Sequence, residues 1–267
     1  MKDIMALFGF DRVDAKLTWN FFKMHIRDKY LGSTLGSVWA IINPLLFLGI
    51  FTFVFGYVYK IRLPGAETTL SYAIWLISGY IPWLASMEGI MAAAMSVVAA
   101  AGLVKNMAFK TEVLPISAGF TGFVPLSVGL IFLSLMLLLD GNHVSWHALF
   151  VFPVVVLQFG LVISLGFFLS AITVFVRDVG IALPNMLTIV LFATPIFYPI
   201  EMMPGIIQAV SQANPFYVIS DAYRQSLIYH HMPNLLGLLY LAALSLLLGL
   251  LGLGAFRRVK GYFEARL

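Results

Sequence analysis

Long apolar stretches alternate along the chain with short polar or basic breaks. The hydrocarbon core of a bilayer is ~30 Å thick and takes about 20 apolar residues in a helix, which satisfies its own backbone without water. Six stretches meet that measure, at about 37–59, 70–100, 113–139, 148–176, 181–200 and 234–256, and Glu88 is the one charged residue inside them. The second is long enough to run past the membrane, and the fifth is interrupted by Pro184, Pro195 and Pro199. The pattern predicts one all-α integral membrane domain over 1–267, with six transmembrane helices.

The segments outside the spans carry their own patterns. Residues 11–30, DRVDAKLTWNFFKMHIRDKY, set Val13, Leu17, Phe21 and Met24 at helical spacing, with Trp19, Phe22, Ile26 and Tyr30 on a second arc. Lys16, Lys23 and Arg27 share a stripe between the arcs. That describes an amphipathic helix within 1–36 lying in the headgroup layer, cations toward anionic lipid. An ordinary basic flank ahead of a first span would carry the same charge. Residues 201–233 hold apolar groups too short to span, punctuated by Pro204-Gly205, Asn214-Pro215 and Pro233. They read either as re-entrant helices, which need protein or a water-filled cavity to cover the backbone, or as a small soluble cap.

Composition closes the class question, because 61% of the 267 residues are hydrophobic and 10% are charged, against about 25% charged in a soluble domain. The net charge of +4 sits at segment ends rather than in one patch, so it is no nucleic-acid signal. Thirteen of the 16 Lys and Arg residues flank the spans on one side, leaving Lys60, Arg62 and Arg224 on the other. Positive residues collect in the cytoplasm, so both termini are expected there, with 257–267 as a cytoplasmic tail. The N-terminal region mixes both charge signs and lacks the short apolar core of a cleavable signal.

The chemistry-bearing residues are few. Glu88 is an intramembrane acid, a functional candidate by default; with no opposite charge in any other span, it reads equally as a structural hydrogen-bonding group. Phe47, Phe51, Phe55 and Tyr59 recur every fourth residue and form a stripe on a helix, while Trp75, Tyr80 and Trp83 add rings in the second span. Such rings could offer flat faces to sugars in a channel, or could face lipid and core. There is no Cys, no GxxxxGK[ST] phosphate loop and no metal-ligand spacing among the five His, so no metal site, disulfide or nucleotide engine is expected in this chain. The scattered cytoplasmic acids give no catalytic pair, so the chain does not read as an enzyme.

Four stretches, in order and in register, carry a resemblance. IRDKYLGSTLGSVWAIINPLLFLGIFTFVFG at 26–56, GLVKNMAFKTEVLP at 102–115, VFVRDVGIALPNMLTIVLFATPIFYPIEMMP at 174–204 and NPFYVISDAYRQSLI at 214–228 resemble the permease subunit of type-2 ABC exporters of polysaccharides, the O-antigen, capsule and teichoic-acid group. In the first, Arg27, Asp28, Tyr30, Gly32, Leu35, Gly36, Trp39, Asn43 and Pro44 fit the family pattern. In the second, Lys105-Asn106 stands where a basic pair is common, and Lys110 where Pro is frequent.

The resemblance implies a homodimer in the bacterial inner membrane, docked on two copies of a separate ABC ATPase that binds ATP and Mg. The cargo would be a glycan on undecaprenyl diphosphate, with teichoic acid, capsule or a small molecule as alternatives. The connection at Lys105, Asn106, Phe109, Lys110 and Glu112 would couple to the ATPase, joined by Arg177 and Asp178. Lys16, Lys23 and Arg27 would meet the lipid diphosphate headgroup. A stand-alone ion-coupled carrier and a membrane-embedded glycosyl- or phosphotransferase are the competing classes.

Overall fold

The computed structural model describes residues 9–29, 31–58, 69–141 and 145–267, and among them every regular element is helical. Helix α1 covers Arg12–Lys29, and α2 covers Trp39–Phe51 and continues as a π-helical stretch over Thr52–Val58. Helix α3 covers Thr69–Ala99, α4 Ala101–Asn106, α5 Val113–Gly119 and α6 Phe123–Leu139. Then follow α7 over Val151–Phe175, α8 over Asp178–Ala193, α9 over Gly205–Gln212, α10 over Pro215–Leu227, α11 over Leu235–Val259 and the short α12 over Phe263–Arg266.

Four helical stretches are long and apolar enough to cross a membrane: Leu70–Ala99, Val113–Leu139, Trp146–Phe175 and Leu235–Arg266. Two predicted spans give shorter apolar helices, Trp39–Val54 and Asp178–Ala193. At 1.5 Å per residue each of these covers ~24 Å, less than the hydrocarbon thickness. The reason in the second case is local. Thr194 turns extended, and Pro195 and Pro199 cannot donate to a continuing ladder. In the third stretch a 3-10 turn at Phe120–Gly122 separates α5 from α6.

Helix α3 is the axis of the molecule and packs against α5, α6, α7, α8 and α10. Small residues let the backbones meet. A Cβ on Gly89 would strike the Gly119 carbonyl, one on Gly122 the Ala85 carbonyl, and one on Gly166 of α7 the Ala93 side chain. Close small-residue contacts are how membrane helices associate where burial in lipid gives no hydrophobic gain. The buried Gln158 ties three helices together. Its amide donates to the Pro82 carbonyl at 2.8 Å and to Ser86 Oγ at 3.1 Å, and its oxygen accepts from the Tyr223 hydroxyl at 2.8 Å. The outward faces of α6, α8 and α11 carry exposed Leu, Ile and Phe, as suits a surface against acyl chains.

Candidate functional site

One end of the bundle is built from charge. Asp11 opens α1: its Oδ1 accepts from the N–H groups of Val13 and Asp14, while Asp14 Oδ2 accepts from the Asp11 N–H at 2.8 Å. This reciprocal cap satisfies helix-start donors and also presents a carboxylate to a neighbour. Lys110, in the non-helical stretch between α4 and α5, donates to Asp14 Oδ2 at 2.6 Å and to the Gly9 carbonyl at 3.0 Å. The Asp14 backbone N–H, followed by the approach of Lys110, holds the Asp11 carboxyl below its ordinary value. The hydrogen bond that Lys110 donates to Asp14 raises Lys110 above its own. Two residues on, buried Glu112 accepts from Arg257 Nε at 3.1 Å and Lys260 Nζ at 2.9 Å. Burial pushes that carboxyl up, but Lys260 and Arg257 outweigh it and leave it below the usual value.

The connection 107–112 is therefore clasped from both sides, by the start of α1 and by the end of α11. Both ends of the described chain meet at this face. Glu88 belongs to the same edge. Lys29, at the end of α1, reaches it at 2.6 Å, and the acid is 29% exposed. The absence of an opposite charge in the other spans did not isolate Glu88, because its partner comes from α1, outside the predicted spans.

The remaining residues singled out from sequence divide cleanly. Lys16, Lys23 and Arg27 all project from α1 into the open, with Lys23 Nζ 5.9 Å from the Trp19 ring centroid. Lys105 and Asn106 are exposed at the end of α4, and Arg177 and Asp178 are exposed where α7 passes into α8. Phe109 packs on Phe21 of α1 at 5.6 Å. Helix α4 stops at Asn106, whose side chain turns back to donate to the Gly102 carbonyl, so most of the 105–112 connection is not helical. Lys110 and Glu112 are turned inward to their partners.

The aromatic stripe comes apart. Phe47 is exposed, but Phe51 packs between Tyr80 at 4.8 Å and Phe197 at 4.7 Å. Tyr59 lies outside the described residues, as does the side chain of Phe55. Trp75, Tyr80 and Trp83 are buried inside the protomer, so as placed they offer no ring to a passing solute. Among the described rings of α2 and its π-helical continuation, Phe47, Phe53 and Tyr57 lie open.

The opposite end is built on backbone carbonyls. Residues 194–199 break away from helix, and Arg224 of α10, 3% exposed, reaches into the break. Its guanidinium donates to the carbonyls of Ile196 at 2.6 Å, Pro195 at 3.3 Å and Trp75 at 3.4 Å, and lies 3.7 Å from the Trp75 ring centroid. Tyr72 donates to the Phe197 carbonyl at 3.0 Å, and Asn214 to Thr194 Oγ1 at 2.7 Å. Irregular backbone inside a membrane protein needs such donors. The capping pair Asp11-x-x-Asp14 was readable as a helix start; Arg224 gave no signal beyond being a lone cation among apolar neighbours.

Apolar helices, an ion-paired rim at one end and a hydrogen-bonded break at the other define a helical membrane protein with partner-facing edges. Among the described residues no group of His, Asp and Glu could hold a metal. The chain belongs to the ABC-2 type transporter family, whose model matches residues 16–228. It is similar to the O-antigen export system permease protein RfbA of Myxococcus xanthus, 27% identical over 226 residues, which are 84% of each chain. Two RfbA permease proteins of Klebsiella pneumoniae are each 25% identical, over 248 and 250 residues, covering 89% of this chain and 90% of theirs.

Proposed function

We propose that this chain is the permease subunit of an ATP-driven exporter that moves an undecaprenyl-diphosphate-linked polysaccharide of the O-antigen type across the bacterial inner membrane. The observation that carries the proposal is the nearly end-to-end match to three O-antigen export permeases within the ABC-2 family. Two copies of the chain pair in the membrane and sit on two copies of an ABC ATPase, which supplies ATP hydrolysis with Mg. The permease has no catalytic site of its own.

Six crossings fit the packing. Gly180 at the start of α8 lies against Met95, near the end of α3. Just past the other end of α8, Phe197 packs on Tyr80 and accepts from Tyr72, near the start of α3. Helix α8 with its break thus accompanies α3 from one end to the other, although its regular part is short. Helix α2 packs on α6 and brings Phe51 onto Tyr80, and its π-helical continuation packs against α3. With the four long helices this makes six crossings, and both ends return to the ion-paired rim. Lys and Arg abundance assigns that rim to the cytoplasm.

The exposed residues Lys105, Asn106, Arg177 and Asp178 then face the ATPase. Lys16, Lys23 and Arg27 face the headgroups, where a diphosphate finds cationic partners. Helices α9 and α10 form the extracytoplasmic, re-entrant part. The open rings Phe47, Phe53 and Tyr57 line the passage between the two copies. The test is reconstitution with the cognate ATPase in vesicles holding the lipid-linked glycan. Glycan should cross only with ATP, the ATPase and this chain together, and alanines at Lys105, Asn106, Arg177 and Asp178 should abolish movement. ATP-dependent movement unaffected by those alanines sinks the ATPase-facing assignment; solute movement by the chain alone sinks the exporter reading.

A further inference from the structure

A cavity of about 270 Å³ opens between α10, the end of α9 and the first turns of α11, on the face away from the ion-paired rim. Its polar lining is Gln212, Tyr217, Asp221, Asn234 and Tyr240. Helical spacing explains how α10 builds it. Tyr217, Val218, Asp221 and Ala222 lie one turn apart on the cavity side, while Ser220, Tyr223 and Arg224 on the other side are committed to the core. Gly237 brings α11 close on one flank, where a Cβ would sit 3.2 Å from Val218 Cγ1. Tyr240 Oη closes another by donating to the Ala213 carbonyl at 2.6 Å.

Several lining groups retain unused hydrogen-bonding capacity. Asn234 spends its oxygen on capping α11 through the N–H groups of Leu236 and Gly237, which leaves its amide donors for the cavity. The Tyr217 hydroxyl makes no hydrogen bond among the described residues. Asp221 adds a carboxylate, acceptor-only when ionised, and Gln212 both a donor and an acceptor. No Lys or Arg lines the space, so a phosphate or diphosphate would meet a like charge and no cation. A hydrocarbon would strand the carboxylate and both amides.

We propose that this cavity is a binding site for one neutral pyranose ring, holding a single sugar of the glycan as it leaves the membrane. Vicinal hydroxyls donate to Asp221, the amides of Gln212 and Asn234 pair with neighbouring oxygens, and tyrosine rings cover the C–H face. The volume is just below the ~300–1,000 Å³ of typical small-molecule pockets, so it admits one ring rather than a chain. An ammonium headgroup would use the carboxylate and rings but waste the amide donors. The site deepens the export reading above and rests on it for its ligand.

The test is saturation-transfer NMR on the full-length chain in detergent, with the methyl α-pyranosides of glucose, mannose and galactose, N-acetylglucosamine, ethanolamine and inorganic phosphate as probes. At least one sugar should bind, with transfer strongest at ring C–H protons. Tyr217→Ala and Asp221→Asn should each weaken it about tenfold or more, the scale of one lost polar or stacking contact, and Tyr217→Phe should weaken it less than Tyr217→Ala. Gln212→Ala, at an exposed position, is the second variant should Asp221→Asn misfold, and it too should weaken binding. No sugar binding, sugar binding unchanged in these variants, or preferential binding of ethanolamine or phosphate overturns the site. If ATP-driven glycan movement is intact while no sugar binds, the cavity proposal alone falls. Sugar binding without ATP-driven movement leaves the site standing and removes the export reading.

Discussion

Replacing Arg224 with Met tests the architecture of the 194–199 break most directly. The substitution keeps an unbranched apolar stem but deletes every donor that the guanidinium gives to Ile196, Pro195 and Trp75. A buried carbonyl left without a partner costs about 1–3 kcal/mol, and the shortest two bonds serve the irregular stretch 194–199. The contact over the Trp75 ring adds up to about 2 kcal/mol when desolvated. Against these stands the relief of no longer burying a cation, several kcal/mol in the opposite sense. The balance is a net loss of about 3 kcal/mol. At roughly 2–4 °C per kcal/mol for a chain of this size, scanning fluorimetry in detergent should show Tm lower by about 6–12 °C. Arg224→Lys, which keeps charge but not the planar fork, should recover less than half of that. Gly79 supplies an internal control, because a Cβ there would collide with the guanidinium. Gly79→Ala should therefore destabilise the native chain and be nearly silent beside Arg224→Met, a coupling that a double-mutant cycle reads directly. A Tm for Arg224→Met within 2 °C of the native chain, or equal cost of Gly79→Ala in both backgrounds, would refute the reasoning.

The rest of the chain gives four further outcomes. Glu112 has its folded carboxyl held below the ordinary 4.5, so its stabilisation is present above pH ~4.5 and fades as pH falls through the lowered value. The Tm gap between the native chain and Glu112→Gln should be open at pH 7 and shrink on acidification toward pH 3.5; a gap that widens refutes it. Lys29→Ala should cost no more than about 1 kcal/mol, since both partners of the Glu88 pair are partly exposed, and chemical denaturation in mixed micelles measures it. Gly122→Ala should cost about 1–3 kcal/mol by overpacking against the Ala85 carbonyl, whereas Gly102→Ala, with open space around it, should be neutral or slightly stabilising. Lys16, Lys23 and Arg27 changed together to Gln should leave Tm unchanged, because all three are exposed. The same triple variant should weaken α1 binding to anionic over neutral vesicles by about 1 kcal/mol per charge.

What the sequence revealed follows the range of the forces involved. Span length is set by local composition, so 70–100, 148–176 and 234–256 come within three residues of the helices Thr69–Ala99, Trp146–Phe175 and Leu235–Val259. Where a neighbour decides the backbone, local reading fails. The 3-10 turn at 120–122 sits where Gly119 and Gly122 touch α3, and nothing in FTG itself announces it. The same holds for charge. Glu88 finds Lys29 59 positions away and Glu112 finds Lys260 148 positions away, distances at which periodicity carries no information. Aromatic spacing was legible as a stripe, but the turn of α2 against Tyr80 and Phe197 decided which rings went inward.

The two ends of the bundle are stabilised differently, and the difference bears on how a transporter can move. At the ion-paired rim the cations are partly exposed, with Lys29 at 43% and Lys110, Arg257 and Lys260 near 40%. The Lys29–Glu88 pair, exposed on both sides, contributes little and exchanges readily with water, whereas the carboxylates of Asp14 and Glu112 are buried and costly to strip of their cations. At the 194–199 break the donors are buried, and opening it strands the Pro195 and Ile196 carbonyls together with the Arg224 guanidinium. The end of α1 can therefore part from Glu88 at small cost, while the buried carboxylates keep the start of α1, the 107–112 connection and the end of α11 together. The Arg224 knot keeps α8, α10 and α3 in fixed relation meanwhile. A pull on the rim should then be carried by displacement of whole helices rather than by local melting of the break.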